Sequence, residues 1–267
     1  MPGRRDLITS PTSLRRGRCL GSVDILVLAG GLRTRIRPAL GDTPKVLAPI
    51  GGRPFLSYLL RWLASFGARR VVLALGYGAA AVQECLRGFC EPDLSVTVVV
   101  EPRPLGTAGA VRFARARLHT DPVLVMNGDS FVDADLCAFL AFHHAAEAGG
   151  TVLCATVDHP GRYGRIATDS NARIREFVEK DAAFAGRAMV NAGVYLIPPA
   201  LLDTIGAMPG PSLERDVFER LPAGSLAAFG GQFDFVDIGS PQTVATAANV
   251  LAPLFGLATA AETEGAG

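Results

Sequence analysis

The chain contains no stretch approaching the roughly 18 to 20 consecutive apolar residues needed to cross a bilayer, although 49% of its 267 residues are apolar. A helical membrane span is therefore excluded, and the composition predicts a soluble protein with a sizeable core. It also lacks a charge excess. A formal net charge of +1 gives no long-range pull toward nucleic acid or an anionic lipid surface. The five cysteines (Cys19, Cys85, Cys90, Cys137 and Cys154) never form a CxxC pair, and that scatter predicts free thiols in a reducing cytoplasm. Only four histidines are present. His143 and His144 are adjacent and point about 100° apart on a helix; His143 and Glu147 would share a face but make a poor metal site. Neither GxxxxGK[ST] nor GxGxxG occurs, so neither a P-loop nor a dinucleotide fingerprint is supported. No internal repeat is visible. The basic N-terminus (Arg4, Arg5, Arg15, Arg16, Arg18) has no apolar h-region or small-residue cleavage site, which excludes a secretory signal. Residues 1–22 read as a disordered leader or the product of an upstream start codon.

What the chain does have is alternation. Val23 to Ala29 is an almost continuous apolar run ending in Gly30-Gly31, as expected of a buried parallel strand that opens into a loop. Residues 53–66 place Phe55, Leu59, Trp62, Leu63 and Phe66 at helical spacing, between Pro54 and Gly67. Further strands are predicted at 70–75, 95–100 and 122–126, with helices at 79–88, 107–117 and 135–148. Strands alternating with helices imply crossover units and a doubly wound, mostly parallel α/β sheet. Beyond residue 150 the texture changes to shorter strands near 151–156, 164–168, 173–178 and 191–197, separated by polar turns such as Asp169-Ser170-Asn171. A smaller, mixed lobe is expected there. The Ala, Gly, Thr and Glu tail from about Ala258 has no apolar face and reads as frayed.

In an open parallel sheet, ligands bind beyond the carboxyl ends of the strands. The first strand delivers Leu28-Ala29-Gly30-Gly31-Leu32-Arg33-Thr34-Arg35, followed by Pro44-Lys45. Glycine lets backbone N–H groups approach a ligand, and Arg and Lys supply the charge that a triphosphate requires. Glu101, followed by Leu105-Gly106-Thr107-Ala108-Gly109, ends the third strand, and Asn127-Gly128-Asp129 ends the fourth. Later come Tyr163-Gly164, Glu179-Lys180, Asn191-Ala192-Gly193, Ser212-Leu213-Glu214-Arg215-Asp216 and Phe235-Val236-Asp237-Ile238-Gly239.

From about Asp24 to Leu251 this order resembles the sugar-1-phosphate nucleotidyltransferases, whose signature G-G-x-G-T-R is followed by a Pro-Lys pair about ten residues beyond the Arg. The Arg-Tyr-Gly at 162–164 and the Asn-Ala-Gly-Val-Tyr-Leu at 191–196 look most like D-glycero-D-manno-heptose 1-phosphate guanylyltransferases, with mannose-1-phosphate guanylyltransferases close behind. The resemblance implies a Rossmann-like, GT-A-like domain at 23–252, with a nucleotide-binding part at about 23–134, a sugar-binding part at about 135–252 and a tail at 253–267. It implies in-line attack of a sugar-phosphate oxygen on the α-phosphorus of a nucleoside triphosphate.

On that reading Arg35 and Lys45 hold the triphosphate and Lys180 holds the incoming sugar phosphate; these are the catalytic residues. Leu28, Ala29, Gly30, Gly31, Arg33, Thr34, Glu101, Gly106, Thr107, Asn127 and Gly128 bind the nucleotide. Tyr163, Gly164, Glu179, Asn191 and Glu214 bind the sugar, and Asp129 and Asp237 bind Mg²⁺. Lone readings compete with each role: Asp129 as a cap, Lys180 as a solvated charge, Glu214 and Asp216 as a helix start. Glu101 can accept two hydrogen bonds from guanine N1–H and N2–H₂, which favours GTP over ATP, UTP or dTTP.

The third glycine of the signature is Arg33 here. A left-handed backbone at that position would cost on the order of 1 to 2 kcal/mol; otherwise the guanidinium meets a phosphate or water. That departure supports a rival reading, a catalytically weak sensor of sugar nucleotides. A molybdopterin-type nucleotidyltransferase would place its Lys much nearer the loop Arg. The sequence predicts a stand-alone cytoplasmic enzyme with no nucleic-acid or membrane partner, and it is compatible with a homo-oligomer.

Overall fold

The computed structural model of the chain describes residues 17–31, 41, 43–178 and 184–256. The first strand, β1 (Asp24–Ala29), sends Ile25 and Val27 to one face and Leu26 and Leu28 to the other, and two separate apolar clusters cover those faces. A strand buried on both sides has no polar alternation to show, which is why its sequence is almost uniformly apolar. The two-residue strands β2 (Pro49–Ile50) and β3 (Arg53–Pro54) form a small ribbon ahead of α1 (Phe55–Ser65). Next come β4 (Arg70–Leu75), α2 (Ala79–Arg87), β5 (Ser95–Val100), α3 (Gly106–Ala114), β6 (Val123–Asn127), the short β7 (Ser130–Val132) and α4 (Leu136–Ala146).

The second half contributes β8 (Thr151–Val157), β9 (Arg165–Thr168), β10 (Ile174–Val178), β11 (Ala188–Ile197), α5 (Pro199–Ala207), the single turn α6 (Leu213–Asp216), β12 (Ala227–Gly231), β13 (Phe235–Asp237) and α7 (Pro241–Phe255). The main sheet runs β10-β9-β11-β6-β1-β4-β5, and β8 and β12 branch from β11. From β6 to β5 every pairing is parallel, while β11 is antiparallel to β6, β8 and β9. The expected mixed lobe therefore continues the parallel sheet through β11 rather than standing apart from it. Helices α1, α4 and α7 cover one face, and α3 and α5 cover the other.

Local chemistry sets the helix ends. Asp135 caps α4 by accepting from the N–H groups of Cys137 and Ala138, and Ser240 and Thr243 form a capping box on α7. The helix expected at 107–117 ends at Ala114 and tightens into a 3₁₀ turn over Arg115–Arg117. Trp62 of α1 is fully buried against Phe66 and Phe131, and Phe255 of α7 packs on Tyr58 with ring centroids 5.0 Å apart. At the edge of the core Asp24 is buried, with Oδ1 accepting from Arg70 Nε at 2.6 Å and Oδ2 from the His119 N–H at 2.7 Å. Burial pushes its acidity down, but the guanidinium and the N–H outweigh burial and hold the carboxyl below its ordinary value.

Three expectations change. Cys19 and Cys137 form a disulfide across 118 residues, so the cysteines are not all free thiols; no spacing rule joins partners that far apart in sequence. Cys85, Cys90 and Cys154 are free. His143 does not share a helix face with Glu147, because Glu147 leaves α4 in the left-handed region (φ 49°) and His143 Nδ1 pairs with Thr151 Oγ1 at 2.7 Å. Leu20 is fully buried and its N–H donates to Phe66 O at 3.0 Å, so packed chain begins upstream of Val23; at the other end it reaches Phe255.

Candidate active site

The order β5-β4-β1-β6 reverses direction between β1 and β6, and the crevice at such a switch point is where open α/β sheets bind ligands. The carboxyl ends of β1 and β6 meet there, with the Gly128 N–H donating to Leu28 O at 2.8 Å. Two cavities open from this point. The first, about 360 Å³, is lined by Leu28, Ala29, Gly30, Gly31, Lys45, Tyr77, Glu101, Gly106, Thr107, Asn127 and Asp129 among others. The second, about 870 Å³, is lined by Lys45, Asn127, Asp129, Tyr163, Gly164, Asn191, Glu214 and Asp237 with their neighbours. Lys45, Asn127 and Asp129 belong to both.

The first cavity is made by close backbone approach. A Cβ on Gly30 would run into the Glu101 carboxylate, and a Cβ on Gly76 would come within 2.8 Å of Gly30 O, so this stack of strand ends tolerates only glycine. Among the described residues, in contrast, nothing lies within 4 Å of where a Cβ on Gly31 would sit. Glu101 is only 7% exposed and its Oε2 accepts from the Leu105 N–H at 2.9 Å, just ahead of α3. Burial pushes the Glu101 carboxyl above its ordinary 4.5, with the Leu105 N–H opposing. Gly128 is buried and acts in packing: a Cβ there would meet Leu28 O at 3.0 Å.

Two segments distant in sequence bring the carboxylates together. Strand β7 pairs antiparallel with β13, placing Ser130 opposite Asp237, and the Ile238 N–H donates to Asp129 O at 2.8 Å. Lys45, presented by a 3₁₀ turn after Pro44, donates from Nζ to Asp129 Oδ2 at 3.2 Å, the two side chains being 18% and 37% exposed. Asp237 Oδ1 accepts from the Gly239 N–H at 2.8 Å, and the Tyr163 hydroxyl donates to Oδ2. Two carboxylates lining one cavity suit a hard, oxygen-seeking cation that takes its other ligands from phosphate and water. Among the described residues no cluster of three His, Cys, Asp or Glu side chains could hold a metal alone. The Asn127 Oδ1 atom, between the cavities, is buried without a hydrogen-bond partner among the described residues.

Side chains build the second cavity. Asn191 Nδ2 donates to the Tyr195 hydroxyl at 2.9 Å, which donates to Glu214 Oε1 at 2.8 Å, and Ser212 Oγ donates to Glu214 Oε2 at 3.0 Å. Asn191 Oδ1 accepts from the Gly193 N–H at 2.8 Å. Burial, and then the Glu214 charge, push the Tyr195 phenol well above its ordinary range, so it stays a neutral donor.

Arg33, Thr34, Arg35, Glu179 and Lys180 lie outside the described residues. The other expected site residues line one or both cavities, apart from Gly128. Tyr77, 55% exposed at the mouth of the first cavity, escaped the sequence reading. Its signal was an aromatic residue flanked by Gly76 and Gly78, directly after a strand end.

The family model described as Nucleotidyl transferase matches residues 25–252. The chain is 34% identical over 222 residues to a mannose-1-phosphate guanyltransferase of Yarrowia lipolytica, covering 81% of this chain and 61% of that one. It is 33% identical over 223 residues to a mannose-1-phosphate guanylyltransferase of Mycobacterium tuberculosis, covering 82% and 62%. The chain thus spans about three-fifths of the length of these relatives. Among solved structures, HddC from Yersinia pseudotuberculosis complexed with GMP-PN superposes with a TM-score of 0.75 at 29% identity, over 85% of this chain and 98% of that one. With its switch-point crevice, paired cavities and a match over residues 25–252, the chain belongs to the nucleotidyl transferase family.

Proposed function

We propose that the protein transfers a nucleoside monophosphate from a nucleoside triphosphate, GTP in preference, to a sugar 1-phosphate of mannose or heptose type, giving a GDP-sugar and pyrophosphate. The observation that carries this reading is the pair of cavities meeting at Lys45 and Asp129. Two anions must be joined at one phosphorus, and a cation shared by both cavities is what that task requires. One sugar-phosphate oxygen forms a bond to the α-phosphorus while the bond from that phosphorus to the bridging β-oxygen breaks; pyrophosphate leaves with the electron pair. No proton transfer is needed.

Lys45 sits where charge builds on the α-phosphate, and Arg35 and Lys180 supply cations to the triphosphate and the sugar phosphate. Asp129 and Asp237 would hold Mg²⁺, which when bound neutralises phosphate charge. Lys45 then turns from Asp129 to phosphate, an exchange of one anionic partner for another. Ionised Glu101 accepts from guanine N1–H and N2–H₂, a pair of donors that uracil and thymine do not offer. The names of the guanylyltransferase relatives, and the HddC complex with GMP-PN, support the same base.

Among the described residues no helix is long and apolar enough to cross a membrane. The cytoplasm, where nucleoside triphosphates are abundant, is the setting we favour, and the disulfide is the observation that opposes it. Arg33, in place of the signature glycine, favours a second reading, a weakly active sensor of sugar nucleotides. Pyrophosphate release, measured with five triphosphates against hexose and heptose 1-phosphates in Mg²⁺, separates the two. Turnover with GTP and one of the sugars is expected; binding without turnover across the whole matrix selects the sensor.

A further inference from the structure

Thr107 lines the first cavity, yet its hydroxyl is committed to the second. It accepts from the Leu213 N–H at 2.8 Å and donates to Glu214 Oε2 at 3.5 Å. Leu213 is fully buried, so its N–H depends on that acceptor. The backbone around Thr107 is clamped to the same segment. The Ala108 N–H donates to Pro211 O at 2.8 Å, and Gly106, in the left-handed region (φ 73°), lies so close that a Cβ would collide with that carbonyl oxygen. Further along α3, Arg112 donates to the carbonyls of Ile205, Met208 and Gly210. The start of α3, which walls one cavity, and the segment bearing Glu214, which walls the other, are therefore fastened to each other directly.

Glu214 is held by three hydroxyl donors: Tyr195 on Oε1, and Ser212 and Thr107 on Oε2. An ionised carboxylate offers about four lone-pair directions. Three are used, which leaves one acceptor aimed by the others. We infer that Thr107 is a positioning residue for the sugar rather than a nucleotide contact: its hydroxyl fixes Glu214 as the acceptor for a hydroxyl of the incoming sugar 1-phosphate. The inference rests on the sugar 1-phosphate occupying the second cavity, as proposed above. It assigns the Thr of Leu105-Gly106-Thr107 to substrate selection across the cavity boundary.

The test uses the full chain with Thr107→Val, Thr107→Ser, Glu214→Gln and the Thr107→Val, Glu214→Gln pair. The KM of each substrate is read from pyrophosphate release, and the affinities of GTP and mannose 1-phosphate by calorimetry, the latter beside a non-reacting GTP analogue. Thr107→Val is expected to raise the sugar 1-phosphate KM about 3- to 12-fold while the GTP KM stays within about twofold, the scale of one lost hydrogen bond. Thr107→Ser restores the wild-type value. The double variant is no worse than Glu214→Gln alone, because the two act through one contact. A Thr107→Val effect confined to GTP, no effect on either substrate, failure of Thr107→Ser to rescue, or additive losses in the double variant would each overturn the inference. Should Thr107→Val not fold, Thr107→Ala removes the same hydroxyl. Wild-type protein that neither binds nor turns over any sugar 1-phosphate would instead remove the functional reading, and this inference with it.

Discussion

The two halves of the crevice are built by different means. Around the first cavity the backbone does the shaping: strand ends of β1, β4 and β5 approach so closely that Gly30 and Gly76 leave no room for a Cβ. Around the second, side chains from β11 and α6 hold one another through Asn191, Tyr195, Ser212 and Glu214, and the Tyr163 hydroxyl meets Asp237 of β13. A backbone cavity fixes where a common group such as a triphosphate must lie. A side-chain cavity can be rebuilt residue by residue, which suits the more variable of the two proposed partners, the sugar 1-phosphate.

That contrast can be broken at its shared point first. Lys45→Ala should lower kcat for pyrophosphate release by roughly 10²- to 10³-fold, the scale of removing one charge-stabilising group. Steady-state assays check it, and a loss under about fivefold would remove Lys45 from the centre of the site. In the backbone half, Gly30→Ala should cost about 1 to 3 kcal/mol of stability by overpacking against Glu101, while Gly31→Ala changes it by less than about 0.5 kcal/mol. Chemical denaturation of the two variants side by side decides it; equal effects would deny the close approach a structural role.

In the side-chain half, Tyr195→Phe leaves Asn191 and Glu214 each short of a partner. The expected cost is about 1 to 3 kcal/mol, together with a raised KM for the sugar 1-phosphate and not for GTP. A raised GTP KM alone would blur the division between the halves.

The smallest effect concerns pH. Burial raises the Glu101 carboxyl above 4.5 in the folded protein, so the group favours folding fully below its unfolded pKa and loses that contribution as pH rises through the folded value. Glu101→Gln is therefore expected to leave stability at neutral pH unchanged or slightly higher. The proposed recognition of guanine needs the ionised form. The GTP KM should climb as pH falls through the raised pKa of Glu101, and Glu101→Gln should flatten that climb while raising the KM at pH 7. A pH-independent wild-type KM would count against Glu101 as the reader of the base.

Sequence reasoning reached the first half more fully than the second, for a physical reason. Leu28 to Gly31, Glu101 and Asn127 to Asp129 are contiguous motifs at strand ends, and apolar periodicity locates strand ends. Asp129 and Asp237 come together through the β7–β13 pairing and the Ile238–Asp129 backbone bond beside it, so the family resemblance, and no local pattern, put them together. The partners of Glu214 were not legible, since Tyr195 reads as a core residue of a buried strand and Thr107 as part of a nucleotide motif. Cys19 and Cys137 are joined by the tertiary fold across 118 residues, and spacing carries no trace of it. The leader boundary at residue 22 failed to anticipate Leu20, one apolar side chain among arginines, too little signal to mark a core contact.

If the two cavities hold the two proposed substrates of one displacement at the α-phosphorus, the decisive experiment follows the label from α-³²P GTP incubated with Mg²⁺ and mannose 1-phosphate or a heptose 1-phosphate. The label is expected to enter a GDP-sugar, only when the sugar phosphate is present, with one pyrophosphate released per product. Label that stays in GTP, or that appears in GMP or GDP whether or not the sugar phosphate is added, would contradict it.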